Sequence, residues 1–166
     1  MTFVKKKRLD DCWQAYNWLL EYGFEQFAIE PKKIILAGAS AGGNLVLALT
    51  FLLIATKSRL PDLILPLYPA CDMSTSTMNP SLVRSLDDPM LSLPAMIFMS
   101  HAYRGKYSNE EDPCLSPYKC NKMILENLPR TRFYLADMDP LRDSALKLAA
   151  EIAKIKEVDF KAYEFK

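Results

Sequence analysis

The chain has 166 residues, of which 50% are hydrophobic and 25% are charged, and its formal net charge is +1. This length and composition are typical of one globular domain, residues 1–166, with enough apolar side chains to bury a core. A net charge this close to zero does not favour nucleic acid or an anionic surface as the main partner.

The first third of the chain has the pattern of a helix, a strand and a second helix. Apolar residues recur at helical spacing over residues 9–22, and Asp10 and Asp11 fall in the first turn, where the helix dipole favours carboxylates. Pro31 closes the linker that follows. The apolar run 34–37 is typical of a short buried strand, and residues 44–56 have the length and character of a helix.

Polar connections dominate the middle of the chain. Leu63–Leu67 is apolar throughout and too short for a globular helix, which predicts a strand covered on both faces. Residues 69–92 indicate a loop with short turns, and residues 105–120 a second polar, Pro-rich connection. Between them we expect a helix over 93–104, and after them a short helix over 121–127. The stretch 69–120 is therefore predicted to be a loop-rich insertion near a lid.

Two further strands and a helix are predicted in the last third. Residues 131–136 and 158–165 have strand character, and Ala145, Leu148 and Ile152 line one face of a helix between them. Strands that alternate with helices predict a parallel, doubly wound α/β sheet, here of about four strands flanked by helices. Each crossover is long enough to contain a helix, as parallel pairing requires.

The uncharged stretch 34–56 has a second interpretation, because 23 residues are enough to span a bilayer. Gly38 and Gly42 even have the G-x-x-x-G spacing of membrane-helix dimers. Against this, each of the three glycines at 38, 42 and 43 would weaken a helix by about 1 kcal/mol relative to alanine. The uniformly apolar part, 45–55, covers only about half a bilayer. We therefore expect a strand, a turn and a core helix, and no membrane span.

The segment GASAG, centred on Ser40, matches the G-x-S-x-G pattern of a nucleophile elbow, a sharp strand-to-helix turn that presents a serine. The serine in such a turn has a strained backbone, and we expect side chains at Gly38 and Gly42 to collide with the neighbouring strand and helix; Gly43 completes the turn. Ser40 would project at the carboxyl end of its strand, where open α/β sheets bind ligands. The Ala41 N–H would point toward a developing oxyanion. A purely structural turn is the alternative.

A serine nucleophile needs a base and an acid that orients the base. Asp139 follows the third predicted strand and precedes a helix, which is a suitable place for the acid. It fits the N-cap of a helix beginning at Pro140 equally well. Asp137 and Asp143 are rivals for the same role, although Asp143 fits the first helical turn better.

Several segments resemble the hormone-sensitive lipase family of α/β-hydrolases. GASAGGN is similar to the family's G-D-S-A-G-G-N, and DPLRDS is similar to its acid motif. SLDDPMLSLPAM and DPCLSPY resemble segments between these motifs, and LDDCWQAYNWLLEYG resembles the helix before the nucleophile strand. The similarity extends from Leu9 to the end of the sequence. It implies that Ser40 is the nucleophile, Asp139 the acid and the Ala41 amide an oxyanion donor.

Three features depart from the family pattern. Ala39 stands where the family usually has Asp, and the H-G-G-G oxyanion loop that lies upstream in the family is absent. The family's catalytic histidine follows the last strand, just after the equivalent of Phe165. The only histidine here, His101, precedes Asp139, whereas the family order is serine, acid, histidine, so we expect it to be structural or on the surface.

The departures imply a partial α/β-hydrolase fold that lacks both ends. The first predicted strand, 34–37, would then be an apolar edge with no partner on one side, and such edges promote aggregation. We therefore expect poor stability for the isolated chain.

The resemblance implies a serine carboxylic-ester hydrolase, a lipase or esterase, that forms an acyl-enzyme with a lipid or short acyl ester. A non-catalytic ligand-binding relative, as plant gibberellin receptors are, and an inactive truncated copy remain as alternatives. We expect no nucleic-acid partner, no cofactor and at most a transient contact with a lipid surface. Four cysteines without C-x-x-C spacing and a single histidine predict no metal site. The absence of a signal-peptide pattern favours reduced thiols in the cytoplasm.

Overall fold

The computed structural model describes residues 7–28, 30–74, 78–105, 109, 111–155 and 158–165. Four parallel strands form one sheet in the order β1-β2-β3-β4: β1 Ile35–Ala39, β2 Leu63–Leu67, β3 Arg130–Ala136 and β4 Phe160–Phe165. The helices are α1 Lys7–Phe27, α2 Ala41–Ala55, α3 Pro80–Arg84, α4 Leu93–Arg104, α5 Lys122–Leu125 and α6 Arg142–Ala153, with a 3₁₀ turn at Pro117–Lys119. The predicted class, a four-stranded parallel sheet flanked by helices, is confirmed.

The expected strand, turn and helix over residues 34–56 are also confirmed, since these residues form β1, the turn at Ser40 and the 15-residue α2. Among the described residues, no helix is long and apolar enough to cross a membrane. The alternative of a membrane helix is therefore wrong for this stretch.

The core lies between the sheet and the helices α2 and α6. The sheet side chains Ile64, Phe133 and Leu135 are buried against apolar residues of both helices. Contributions from α2 and α6 include Leu47, Phe51, Leu148 and Ile152. Helix α1 packs on the outer side of α2 through a second apolar cluster that contains Leu9, Tyr16, Leu49 and Leu53. The amphipathic pattern of α1 and α6 thus reflects one buried face on each helix.

The opposite face of the sheet is open in the described part of the chain. Burial alternates along β2 and β3, and Ile35, Tyr163 and Phe165 are 57%, 40% and 56% exposed. The register places apolar side chains from all four strands on this face, together with Arg130, Arg132 and Lys161. Its apolar residues, here called the open sheet face, are Ile35, Ala37, Ala39, Leu63, Leu65, Leu67, Tyr134, Ala136, Tyr163 and Phe165. The expectation of a doubly wound sheet, with β2 covered on both faces, is therefore wrong for the described residues.

The two middle connections are more structured than their composition predicts. The first contains α3, and the second contains a buried segment, residues 112–117. Leu115 of that segment is fully buried, and its carbonyl oxygen accepts a hydrogen bond from the Asn44 side chain of α2 at 2.9 Å. This contact packs the second connection against the helix that follows Ser40.

Candidate active site

Ser40 lies at the turn between β1 and α2 with a φ of 55° and a ψ of −117°. A positive φ is uncommon for a non-glycine residue and costs about 1–3 kcal/mol. Backbone bonds hold the turn: the Ser40 N–H donates to Leu67 O at 3.0 Å, and its carbonyl accepts from the amides of Asn44 and Ala70, both at 3.1 Å. The strained turn expected from the motif is confirmed.

Two of the three turn glycines are required by close backbone approach. A Cβ on Gly38 would lie 2.4 Å from the carbonyl oxygen of Gly42, and a Cβ on Gly43 would lie 2.8 Å from the Pro69 side chain. The expected collision at Gly42 is wrong, because nothing lies within 4 Å of a Cβ built there. Gly42 instead borders an open groove of about 440 Å³ beside the edge of β1.

Ser40 and Ala41 form part of the wall of a second cavity of about 320 Å³. Three methionines, Met73, Met96 and Met99, supply much of the remaining wall together with Leu91 and Leu141. The Ala41 N–H lies in the first turn of α2, where amides have no acceptor within their own helix. The positive end of the helix dipole also favours negative charge there. The arrangement suits an apolar group held beside a carbonyl at Ser40.

Asp139 lies in the turn between β3 and α6, and it differs from its two rivals in its partners. Asp137 and Asp143 both have carboxylate oxygens within salt-bridge distance of Arg142, at 3.5 and 3.1 Å. Asp139 is half-buried and accepts a hydrogen bond from the Leu141 amide at 2.8 Å. Burial raises the pKa of its carboxyl group, and that amide partly opposes the rise. Among the described residues, no cation forms an ion pair with Asp139.

Ser40 and Asp139 follow strands that are separated only by β2. Two strand spacings are about 10 Å, so an imidazole between the two side chains, rather than a direct hydrogen bond, would connect them. His101 does not fill this place: it is exposed on α4, its Nδ1 is 3.2 Å from Arg104, and it is not part of the wall around Ser40. This agrees with its expected surface or structural role.

Comparison with known proteins decides the family. A model described as an alpha/beta hydrolase fold matches residues 6–166. The chain belongs to the α/β-hydrolase family. It is 34% identical over 99 residues to hormone-sensitive lipase from Mus musculus, covering 60% of this chain and 13% of that protein. It is 29% identical over 149 residues to the esterase LipU from Mycobacterium tuberculosis, covering 87% of this chain and 47% of LipU.

A solved structure adds evidence for the fold. Carboxyl esterase 2 from Tuber melanosporum superposes with a TM-score of 0.85 at 24% identity, over 94% of this chain and 50% of the esterase. The resemblance to hormone-sensitive lipases is confirmed, and this α/β-hydrolase chain spans about half the length of the esterases it matches.

Three polar residues of this α/β-hydrolase site were not predicted from the sequence. Asp72 follows β2 and lines the cavity with Ser40, and its Oδ1 accepts the Ser74 amide at 2.8 Å. Asn44 and Tyr103 share a hydrogen bond beside the same cavity. A search of the carboxyl ends of all strands would have found Asp72, since ligands bind there in open α/β sheets.

Replacing Asp139 by asparagine should stabilise the domain at neutral pH. Burial raises the pKa of the Asp139 carboxyl in the folded state, so the folded state retains this proton more strongly than the unfolded state does. The free energy of unfolding of the domain therefore falls as pH rises above about 4, the pKa of an aspartate in the unfolded chain. Asparagine removes this loss and still accepts the Leu141 amide. Thermal unfolding should therefore give a higher Tm for Asp139→Asn at pH 7.5 and little difference at pH 3.5. An equal gain from Asp137→Asn, which loses an ion pair with Arg142, would contradict the explanation.

Proposed function

We propose that this chain acts as a serine carboxylic-ester hydrolase of hormone-sensitive-lipase type. The observation that carries the proposal is Ser40 in a strained turn at the carboxyl end of β1, in the wall of an apolar cavity of about 320 Å³. Relatives named lipase and esterase support this reaction class.

In the proposed reaction, Ser40 Oγ attacks the acyl carbonyl carbon, and the carbonyl oxygen becomes an oxyanion that accepts the Ala41 N–H. The Ser40 proton passes to a base and then to the alkoxide leaving group, which departs as an alcohol. Water next attacks the acyl-enzyme, releasing a carboxylic acid and regenerating the serine. Asp139 is proposed to orient the base, and its lack of an ion-pair partner among the described residues leaves it suited to an imidazolium.

A fluorophosphonate probe tests the nucleophile directly. Wild-type chain should be labelled, Ser40→Ala should lose all labelling, and Ser100→Ala should keep it. Ser100 is a matched control because it lines the same cavity from α4. Labelling should be slow, since His101 lies outside the cavity and serine hydrolases without their base lose most of their rate.

A non-catalytic ligand-binding relative is the second candidate. Its support is the lack of a histidine in the described cavity wall around Ser40. Unlabelled wild-type chain that still binds an apolar ligand saturably would favour it over hydrolysis.

We also propose a transient contact with a lipid surface through α4. That helix exposes Ile97, Phe98 and Met99 to 39%, 73% and 42%, and Met99 also lines the cavity. Weak, reversible co-flotation with phosphatidylcholine vesicles is the expected result, and no flotation at any lipid concentration would contradict it. A cytoplasmic location stays a prediction from the sequence, where no signal-peptide pattern is found.

A further inference from the structure

Helix α4 forms one wall of the cavity above Ser40. Five of its residues line the cavity: Met96, Met99, Ser100, Ala102 and Tyr103. None of its residues is buried, although Met96 and Tyr103 pack against a small apolar cluster that contains Met73 and Leu141. Its position therefore depends on specific contacts more than on a large buried face.

One of these contacts reaches the nucleophile turn. The Tyr103 hydroxyl donates to Asn44 Oδ1 at 2.8 Å, and Asn44 is fully buried in α2, one turn after Ser40. The Asn44 amide group donates in turn to the carbonyls of Ala70 and Leu115, at 2.8 and 2.9 Å. Ala70 itself donates its N–H to the Ser40 carbonyl. The orientation of Asn44 follows from these two acceptors, which require the amide nitrogen on their side.

A second contact holds the C-terminal end of α4 from α1. Arg8 donates to the carbonyl oxygens of Tyr103 and Ala102, at 2.6 and 3.2 Å, and its guanidinium lies 4.6 Å from the centre of the Tyr103 ring. A cation at this end complements the helix dipole as well as the aromatic face. Tyr103 is thus bound on both its backbone and its side chain.

We propose that Tyr103 is a positioning residue that holds α4 against the nucleophile turn and so sets the shape of the cavity that receives the apolar part of an ester. The proposal rests on the hydrolase function proposed above, because it assigns that cavity to the substrate. Without the hydroxyl, the buried Asn44 oxygen loses its partner and α4 is released from the turn. The bonds that Ser40 makes through its own backbone stay intact, so binding should weaken more than the covalent step.

Methionine methyl resonances give a direct readout of this cavity. We suggest a titration of ¹³C-methyl-methionine protein with 1-octanol, which binds without reacting. Met73, Met96 and Met99 should shift together and saturate, whereas the exposed Met123 and Met138 should not. Tyr103→Phe should raise the Kd for octanol about fivefold, as expected for a lost hydrogen bond. Fluorophosphonate labelling of the same variant should need a higher probe concentration for half-saturation, while the maximal labelling rate stays unchanged.

Tyr16→Phe is the matched control, since it also loses one hydroxyl bond, to Arg59 O at 3.0 Å, but lies outside this cavity. It should lower Tm without changing the Kd for octanol.

Arg8→Ala releases α4 from the other side, and it provides a second variant should Tyr103→Phe fail to fold. Unchanged affinity in the folded variants, an equal change in Tyr16→Phe, or no methyl shifts in wild type would each overturn the proposal. Intact methyl shifts without Ser40 labelling would instead overturn the hydrolase function alone.

Discussion

Replacing Gly38 by alanine should destabilise the domain by about 3 kcal/mol, a large share of the stability of a typical domain. The new Cβ would lie 2.4 Å from the carbonyl oxygen and 2.6 Å from the carbonyl carbon of Gly42. Both are backbone atoms at the start of α2, so no side-chain rotation relieves the contact. The helix must move away from β1, which also strains the turn at Ser40. Urea unfolding followed by circular dichroism measures the loss.

Gly42→Ala is the matched control, because it adds the same methyl group four residues away. Nothing lies within 4 Å of that Cβ, and the residue is already helical, so the variant should gain up to about 1 kcal/mol. Opposite signs for the two variants are expected. A similar loss of stability in both variants would mean that the turn excludes any side chain, and it would contradict a specific clash at Gly38.

The elements that the sequence predicts correctly are those with a strong local pattern. The strand, turn and helix around Ser40 followed from an apolar run, a cluster of small residues and a second apolar run, and each feature depends on neighbours in sequence. The helix pattern of α1 was equally clear, although the helix extends to Phe27 and the pattern indicated an end near 22. Helix ends are set by capping and tertiary packing, which apolar spacing does not encode.

The errors concern what lies next to an element. The apolar run Leu63–Leu67 is compatible with one covered face or with two, and composition alone does not distinguish them. The predicted collision at Gly42 assumed a neighbour beside β1, whereas that side of the described structure is an open groove. In both cases the local structure was predicted correctly, whereas the contacts around it were not.

Sequence patterns did not predict the contacts between residues that are far apart in the chain. Arg8 and Tyr103 are 95 positions apart, and Tyr103 and Asn44 are 59 apart, yet these side chains form one connected group at the cavity. Topology, rather than local spacing, brings such residues together.

The open sheet face gives the second large prediction, a decrease in self-association when a charge is placed on it. Parallel sheets are normally covered on both faces, and this one exposes aliphatic and aromatic side chains across four strands in the described structure. Exposed apolar patches of this kind promote association. The expected aggregation of the isolated chain would therefore arise from the open sheet face as well as from the edge of β1.

Ile35→Lys should weaken self-association about tenfold or more. Ile35 is 57% exposed on the open sheet face, so lysine disturbs little in the monomer. In an associated state an isoleucine there contributes about 1.5–3 kcal/mol, and a buried lysine costs further free energy, whereas 1.4 kcal/mol already equals a factor of ten. Sedimentation velocity over a concentration series measures the change. Met123→Lys adds the same charge at a 66% exposed position outside this face and should change little; an equal improvement there would attribute the effect to net charge instead.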